Sequence, residues 1–225
     1  MSLLEFARGP GLALAFAIFA IGSSWRLYSI FRRPAPRDLS QPRSRAYALR
    51  GAVHGIVRRM WHPATLRRRS LVGTLNAYGY HIGLAVVVFG FLPHIAFIHR
   101  LTGFSWPGVP GPVFAIAVAC TFVGLGYALM ARLTSPVLRL ISSFDDYASW
   151  AVTILPMVTG MALISQPTGV AYPFMPDLPV AVALHLMSLE LLLIWLPFGK
   201  LSHAFLAFVS RAATGAAFAR KAAAP

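Results

Sequence analysis

The chain has 225 residues, 57% of them apolar, and carries 20 Lys and Arg against six Asp and Glu, a formal charge of +14. A soluble basic protein spreads charge over all its helices, whereas here long stretches carry almost none, as in a polytopic membrane protein. The arginines lie between the apolar runs, so nucleic-acid binding is not expected. Cys120 is the one cysteine, which excludes a disulfide framework, a CxxC pair and an Fe–S ligand set of the chain's own. It sits in an apolar run and reads as a small packing residue.

In chain order, apolar runs of about twenty residues predict five spans, roughly 11–31, 75–97, 112–131, 147–165 and 180–199. The first lacks a basic leader and a small-residue cleavage site, so it is read as a retained helix. Pro93, Pro156 and Pro197 lie in or near spans and predict kinks. The linker after the first span, within the basic stretch 32–72, holds eleven arginines and one acid. The second linker has one arginine and the fourth none, whereas Arg132 and Arg139 mark the third and Lys200, Arg211, Arg220 and Lys221 the tail. The positive-inside rule then places the N-terminus outside and the C-terminus in the cytoplasm.

The expected fold is an all-α integral membrane protein: a five-helix bundle forming one domain over 1–225, with 32–72 as a cytoplasmic linker and 206–225 as a cytoplasmic tail. Within the linker, Tyr47 to Trp61 reads as an amphipathic helix lying on anionic lipid or on a partner subunit, or as a plain topology signal. No internal repeat is visible, which disfavours an inverted-repeat transporter.

Seven histidines are present. His54 and His62 fall in the basic linker, where solvated roles are the default. His99, beside Arg100, reads first as an interfacial residue. His81 and His94 fall on the second span, and His185 and His203 on or just past the fifth. With these spans antiparallel, His81 lies at the depth of His203, near the cytoplasm, and His94 at the depth of His185, near the outside. Each pair of neutral imidazoles can hold a haem iron axially between helices. On unbroken helices the histidines would be about 20 Å apart on the second span and about 27 Å apart on the fifth. His94 would also lie about 140° round from His81, whereas His99 would share its face, which makes His99 a rival outer ligand. Gly79 and Gly83 beside His81 leave room for a flat macrocycle. The bland alternative is that each histidine is a hydrogen-bonded packing residue.

Several patches, in order, resemble the membrane cytochrome b family of the respiratory nitrate reductase gamma subunit, including related subunits of sulfur-metabolism redox complexes. GSSWRLY (22–28) resembles that family's Ser-Trp-Arg region, LNAYGYHIGLAVVVFG (75–90) its first histidine helix and RLTSPVLR (132–139) its third linker. ALHLMSLELLLIWLPFGKLSHAF (183–205) resembles its last helix, including the eighteen-residue histidine spacing and the Pro-Phe before the second histidine. The resemblance implies that His81 and His203 hold the inner haem, that His185 holds the outer one, and that a quinone pocket lies beside the outer haem. It departs at Phe91, where the family places its second histidine; His94 follows one turn later, which marks a divergent branch.

The resulting expectation is a dihaem b-type cytochrome in a bacterial inner membrane, the quinone-reactive subunit of an oxidoreductase complex. It would pass electrons between the quinone/quinol pool and a cytoplasm-facing Fe–S partner that serves a further catalytic subunit. Arg26, Arg132 and Arg139 at inner span ends are candidates for the haem propionates, or are snorkelling topology charges. Glu190, inside the fifth span, is a candidate for proton exchange with quinone, or a protonated acid bonded to a neighbouring helix. The competing class is a haem-free or single-haem membrane anchor, or a proton-relay or transport subunit.

Overall fold

The computed structural model describes residues 1–33, 45–58, 60, 64–164 and 177–221, and every regular element among them is helical. In order these are α1 (Leu3–Arg8), α2 (Pro10–Phe31), α3 (Arg45–Arg58), α4 (Ala64–Gly90), α5 (Leu92–Thr102) and α6 (Gly111–Thr134). They continue with α7 (Pro136–Ile141), α8 (Phe144–Ile164), α9 (Leu178–Trp195), a 3₁₀ turn (Lys200–Ser202) and α10 (His203–Arg220). Five stretches are long and apolar enough to cross a membrane: Leu3–Phe31, Ser70–Gly90, Gly111–Thr134, Phe144–Ile164 and Leu178–Trp195. Large apolar side chains such as Leu14, Ile21, Ile82, Ile116 and Val123 stand exposed on them, as lipid-facing residues do. The chain is a multi-pass membrane protein.

The contacts divide it into two compact units, Met1–Pro63 with Val158–Pro225, and Ala64–Met157. In the Ala64–Met157 unit, α4 and α6 pack antiparallel and closely. A Cβ on Gly83 would lie 2.6 Å from the Thr121 hydroxyl, and one on Gly124 would lie 2.6 Å from Tyr80. Small residues at such points let two backbones approach in lipid, where dispersion and polar contacts replace the hydrophobic effect. Asn76 donates to the Gly124 carbonyl at 3.1 Å, and Trp150 Nε1 ties α8 to the Leu125 carbonyl of α6 at 2.8 Å. Val87, Ala117 and Met157 form the core of this unit, with Leu84, Phe114 and Phe122 against them. At one end Arg132 pairs with the buried carboxylate of Asp146 at 2.8 Å.

The second expected span is broken. Helix α4 stops at Gly90, Phe91 is extended (φ −82°, ψ 123°), and Pro93 sits in the first turn of α5. Proline lacks an N–H for the Phe89 carbonyl and its ring would strike that carbonyl in a continuous helix. Helix α5 ends on Gly103 at φ 79°, the left-handed cap that glycine takes without steric cost. Pro156, by contrast, is accommodated inside α8.

In the other unit, α1 and α2 meet at the Gly9–Pro10 break and pack against α9. Gly11 lies against Glu190 and Gly22 against Pro197, so α2 and α9 run parallel, as the first and fifth spans of an alternating chain must. Helix α9 ends at Trp195 and Pro197 falls in the turn that follows, so His203 begins a separate helix, α10, rather than continuing α9. That helix pairs with α3.

Replacing Gly83 with Val should force α4 and α6 apart and destabilise the protein by about 1–3 kcal/mol. Gly79→Ala, where a methyl meets nothing within 4 Å, should not destabilise and should gain up to about 1 kcal/mol from helix propensity. Thermal unfolding of the two variants in detergent measures the contrast.

Candidate functional site

The candidate histidines share one local feature: each is held through Nδ1. His81 Nδ1 lies 2.6 Å from the Ala77 carbonyl one turn back on α4. His94 Nδ1 reaches across the Phe91 break to the Val87 carbonyl at 3.0 Å, and the rings of Phe91 and His94 meet edge to face. His99 Nδ1 lies 3.0 Å from the Gly103 carbonyl, and His203 Nδ1 lies 2.8 Å from that of Lys200. A carbonyl only accepts, so in each case Nδ1 carries the proton. A neutral imidazole has one N–H and one lone pair, which leaves the lone pair on Nε2.

At His185 the partner of Nδ1 is a hydroxyl instead. Ser188 gives its one proton to the His185 carbonyl at 2.6 Å. Its oxygen also lies 3.1 Å from Thr159 Oγ1. Thr159 Oγ1 stands 3.0 Å from His185 Nδ1, where it accepts when that nitrogen carries the proton. Gly160 faces the ring edge, where a Cβ would stand 3.1 Å from Cε1. This small cradle on α8 was not legible from composition. Its only signal is a Thr-Gly pair in an apolar helix and a serine one turn after the histidine.

Holding the outer N–H while presenting the other nitrogen is the arrangement that fixes tautomer and ring direction in metal-ligating histidines. His81 and His94 belong to the Ala64–Met157 unit, and His185 and His203 to the other. The expected pairs therefore each draw one member from each unit. His54 is exposed on α3, and His62 lies outside the described residues.

The glycines beside His81 differ. Gly79 opens on nothing within 4 Å, whereas Gly83 is filled by Thr121 and Ala117, so only the first leaves space next to that imidazole. Glu190 is 7% exposed, and Oε1 has no hydrogen-bond partner among the described residues. Both its carboxyl oxygens would lie 3.0 Å from a Cβ at Gly11.

Arg26 donates to the Phe198 carbonyl at 3.2 Å while Gly22, one turn earlier, packs on Pro197. The Ser-Trp-Arg and Leu-Pro-Phe patches are thus neighbours, five residues before His203. Ser23, next to Gly22, has a buried hydroxyl without a partner among the described residues. Arg132 is committed to Asp146 and Ser142, whereas Arg139 is exposed on α7.

The sequence matches no family model and no solved structure. It is similar to a protein of Nitratidesulfovibrio vulgaris, 29% identical over 222 residues that cover 98% of this chain and 89% of that one. That protein is described only as "Protein". The likeness runs through all five apolar helices and brings no activity with it.

Thr159→Val removes the oxygen that accepts from His185 Nδ1–H, whereas Thr159→Ser keeps it. Imidazole nitrogen NMR shifts of ¹⁵N-histidine-labelled protein should report the Nδ1–H form at His185 in wild type and in the serine variant. They should report a mixed or reversed tautomer in the valine variant.

Proposed function

We propose that the chain is a dihaem b-type cytochrome subunit, which exchanges electrons between the quinone pool and a cytoplasm-facing Fe–S subunit of a larger oxidoreductase. The observation that carries this reading is the common placement of the four imidazoles, each with Nδ1 within 3.0 Å of an oxygen on its own or a neighbouring helix, as the outer hydrogen-bond partners of metal-ligating histidines orient their rings. His81 with His203 would hold the inner haem, and His94 with His185 the outer one. His94 is preferred to His99 because it is half-buried against Phe91, whereas His99 is exposed beside Arg100.

The surrounding residues fit such a group. Space opens at Gly79, two residues before His81. The orphaned Ser23 hydroxyl and the guanidinium of Arg26 lie one turn apart on α2, suited to the propionates of the inner haem. Arg139 is a further candidate on the cytoplasmic side; Arg132, paired with Asp146, is the weaker one.

Bound haem would supply one-electron chemistry, and the chain supplies ligation, orientation and a low dielectric. The hydroxyl chain through Thr159 and Ser188 would keep His185 from rotating away from the iron. Glu190, an acid buried inside the span with Oε1 unpartnered among the described residues, would take up and release protons as quinol is oxidised near the outer haem. The positive-inside pattern supports an N-terminus outside and a C-terminus in the cytoplasm of a bacterial inner membrane. The Fe–S partner and the catalytic subunit it serves would then dock on the basic cytoplasmic side.

A pyridine haemochrome assay of protein purified from its native membrane should give two b-type haems per chain. His81→Ala and His203→Ala should each lose the same haem, His94→Ala and His185→Ala the other, and His99→Ala neither. Glu190→Gln should lower quinol turnover about 10²-fold or more, the scale of a lost general acid–base group, while leaving the haem spectrum intact. No b-type haem in assembled material, or loss of different haems within a pair, contradicts the reading.

A further inference from the structure

The basic linker and the C-terminal segment make a structure of their own. Gly51 and Gly55 lie one turn apart on α3, a Gly-x-x-x-Gly pair. A Cβ on Gly51 would run into Ala219 and the Gly215 carbonyl, and one on Gly55 would stand 2.6 Å from the Arg211 carbonyl. As the chain advances along α3 its contacts move backward along α10, so the two helices form an antiparallel hairpin with touching backbones. Ala48 is buried on the same face.

This pairing consumes the small-residue face of α3 and leaves the rest outward. Leu49, Val53 and Val57, four residues apart, are 70%, 56% and 59% exposed. Arg50, His54 and Arg58, each one position further on, are exposed beside them. Tyr47 stands half-exposed at the start of the helix. Neither helix carries an acidic residue: the sequence has none between Asp38 and Asp145 and none after Glu190. Nothing in the hairpin can neutralise the basic stripe internally.

We infer that this face of α3 docks on the anionic headgroup–acyl boundary of the membrane that the protein itself spans. An apolar stripe flanked by arginines matches that boundary in both chemistry and charge, the apolar side chains entering the acyl edge and the guanidiniums meeting lipid phosphates. Proximity is built in, because α10 follows the α9 span after residues 196–202 alone. The Gly contacts thus turn the linker and tail into one clamp that rests on the lipid surface and fixes the approach to the end of α9. The inference stands whether or not the histidines hold haem.

The test uses the full chain in nanodiscs with Cys120→Ser as background and a single reporter, Val53→Cys or Leu49→Cys, labelled with an environment-sensitive fluorophore. In discs containing phosphatidylglycerol both reporters should emit to the blue and be quenched by lipids spin-labelled near the headgroup. In phosphatidylcholine alone the shift should largely vanish, and high salt should reverse it. Arg50→Gln with Arg58→Gln should weaken docking about thirtyfold, at roughly 1 kcal/mol per arginine, with helix content unchanged. Reporters that read water in both lipids would overturn the inference and leave the face to a protein partner. So would retention of the phosphatidylglycerol dependence in the double arginine variant.

Discussion

In hydrocarbon every backbone carbonyl that leaves a helical ladder must find another donor, and that constraint organises this protein. At the Phe91 break the carbonyls of Phe89 and Gly90 lose their helical partners, and two groups from downstream replace them. Trp106 Nε1 takes Phe89 at 2.5 Å and the Val109 amide takes Gly90 at 2.9 Å, while His94 Nδ1 adds a second contact to the Val87 carbonyl at 3.0 Å. Past the end of α9 the same need is met at Phe198, whose carbonyl accepts from Arg26. Close to these breaks the rings of His94 and His203 each rest on a backbone carbonyl through Nδ1. A neutral ring whose N–H is tied to a carbonyl carries its lone pair on the other nitrogen, the form a metal ligand needs.

The spans, the basic segments between them and the histidines were legible because hydrophobicity over twenty residues is a strong signal and charge is its complement. The breaks were less so. Pro93 and Pro197 announced an interruption, but whether a membrane proline kinks, ends or continues a helix depends on which donors arrive from elsewhere. Pro156 stays inside α8 while Pro93 starts a new helix. The rise of 1.5 Å per residue from His81 to His94, and from His185 to His203, therefore does not apply across the breaks. The helical-wheel argument that set His99 on the face of His81 falls with it.

Tertiary partners were harder still to foresee. Thr159 and His185 lie on different helices, and only the fold brings the Thr159 hydroxyl to the His185 imidazole and to Ser188. Gly51 and Gly55 did carry a readable signal, a small-residue pair at helical spacing, but it sat in a segment dominated by arginines. Gly83 shows the opposite error: a glycine beside a histidine suggests space, yet here it admits a neighbouring helix instead of a ligand. Glu190 and Ser23 stand apart as buried polar atoms with unmet hydrogen-bonding capacity among the described residues. Such atoms are expensive in a membrane interior, and each lies in a patch that the histidine reading already involves.

The central claim is that imidazole nitrogens from separate helices ligate iron in pairs. Low-temperature electron paramagnetic resonance and near-infrared magnetic circular dichroism of the oxidised, natively purified protein address it most directly. The account predicts two low-spin ferric centres, both with the charge-transfer signature of bis-imidazole ligation. A high-spin centre, a mixed imidazole–thioether signature, or no ferric haem at all would contradict it.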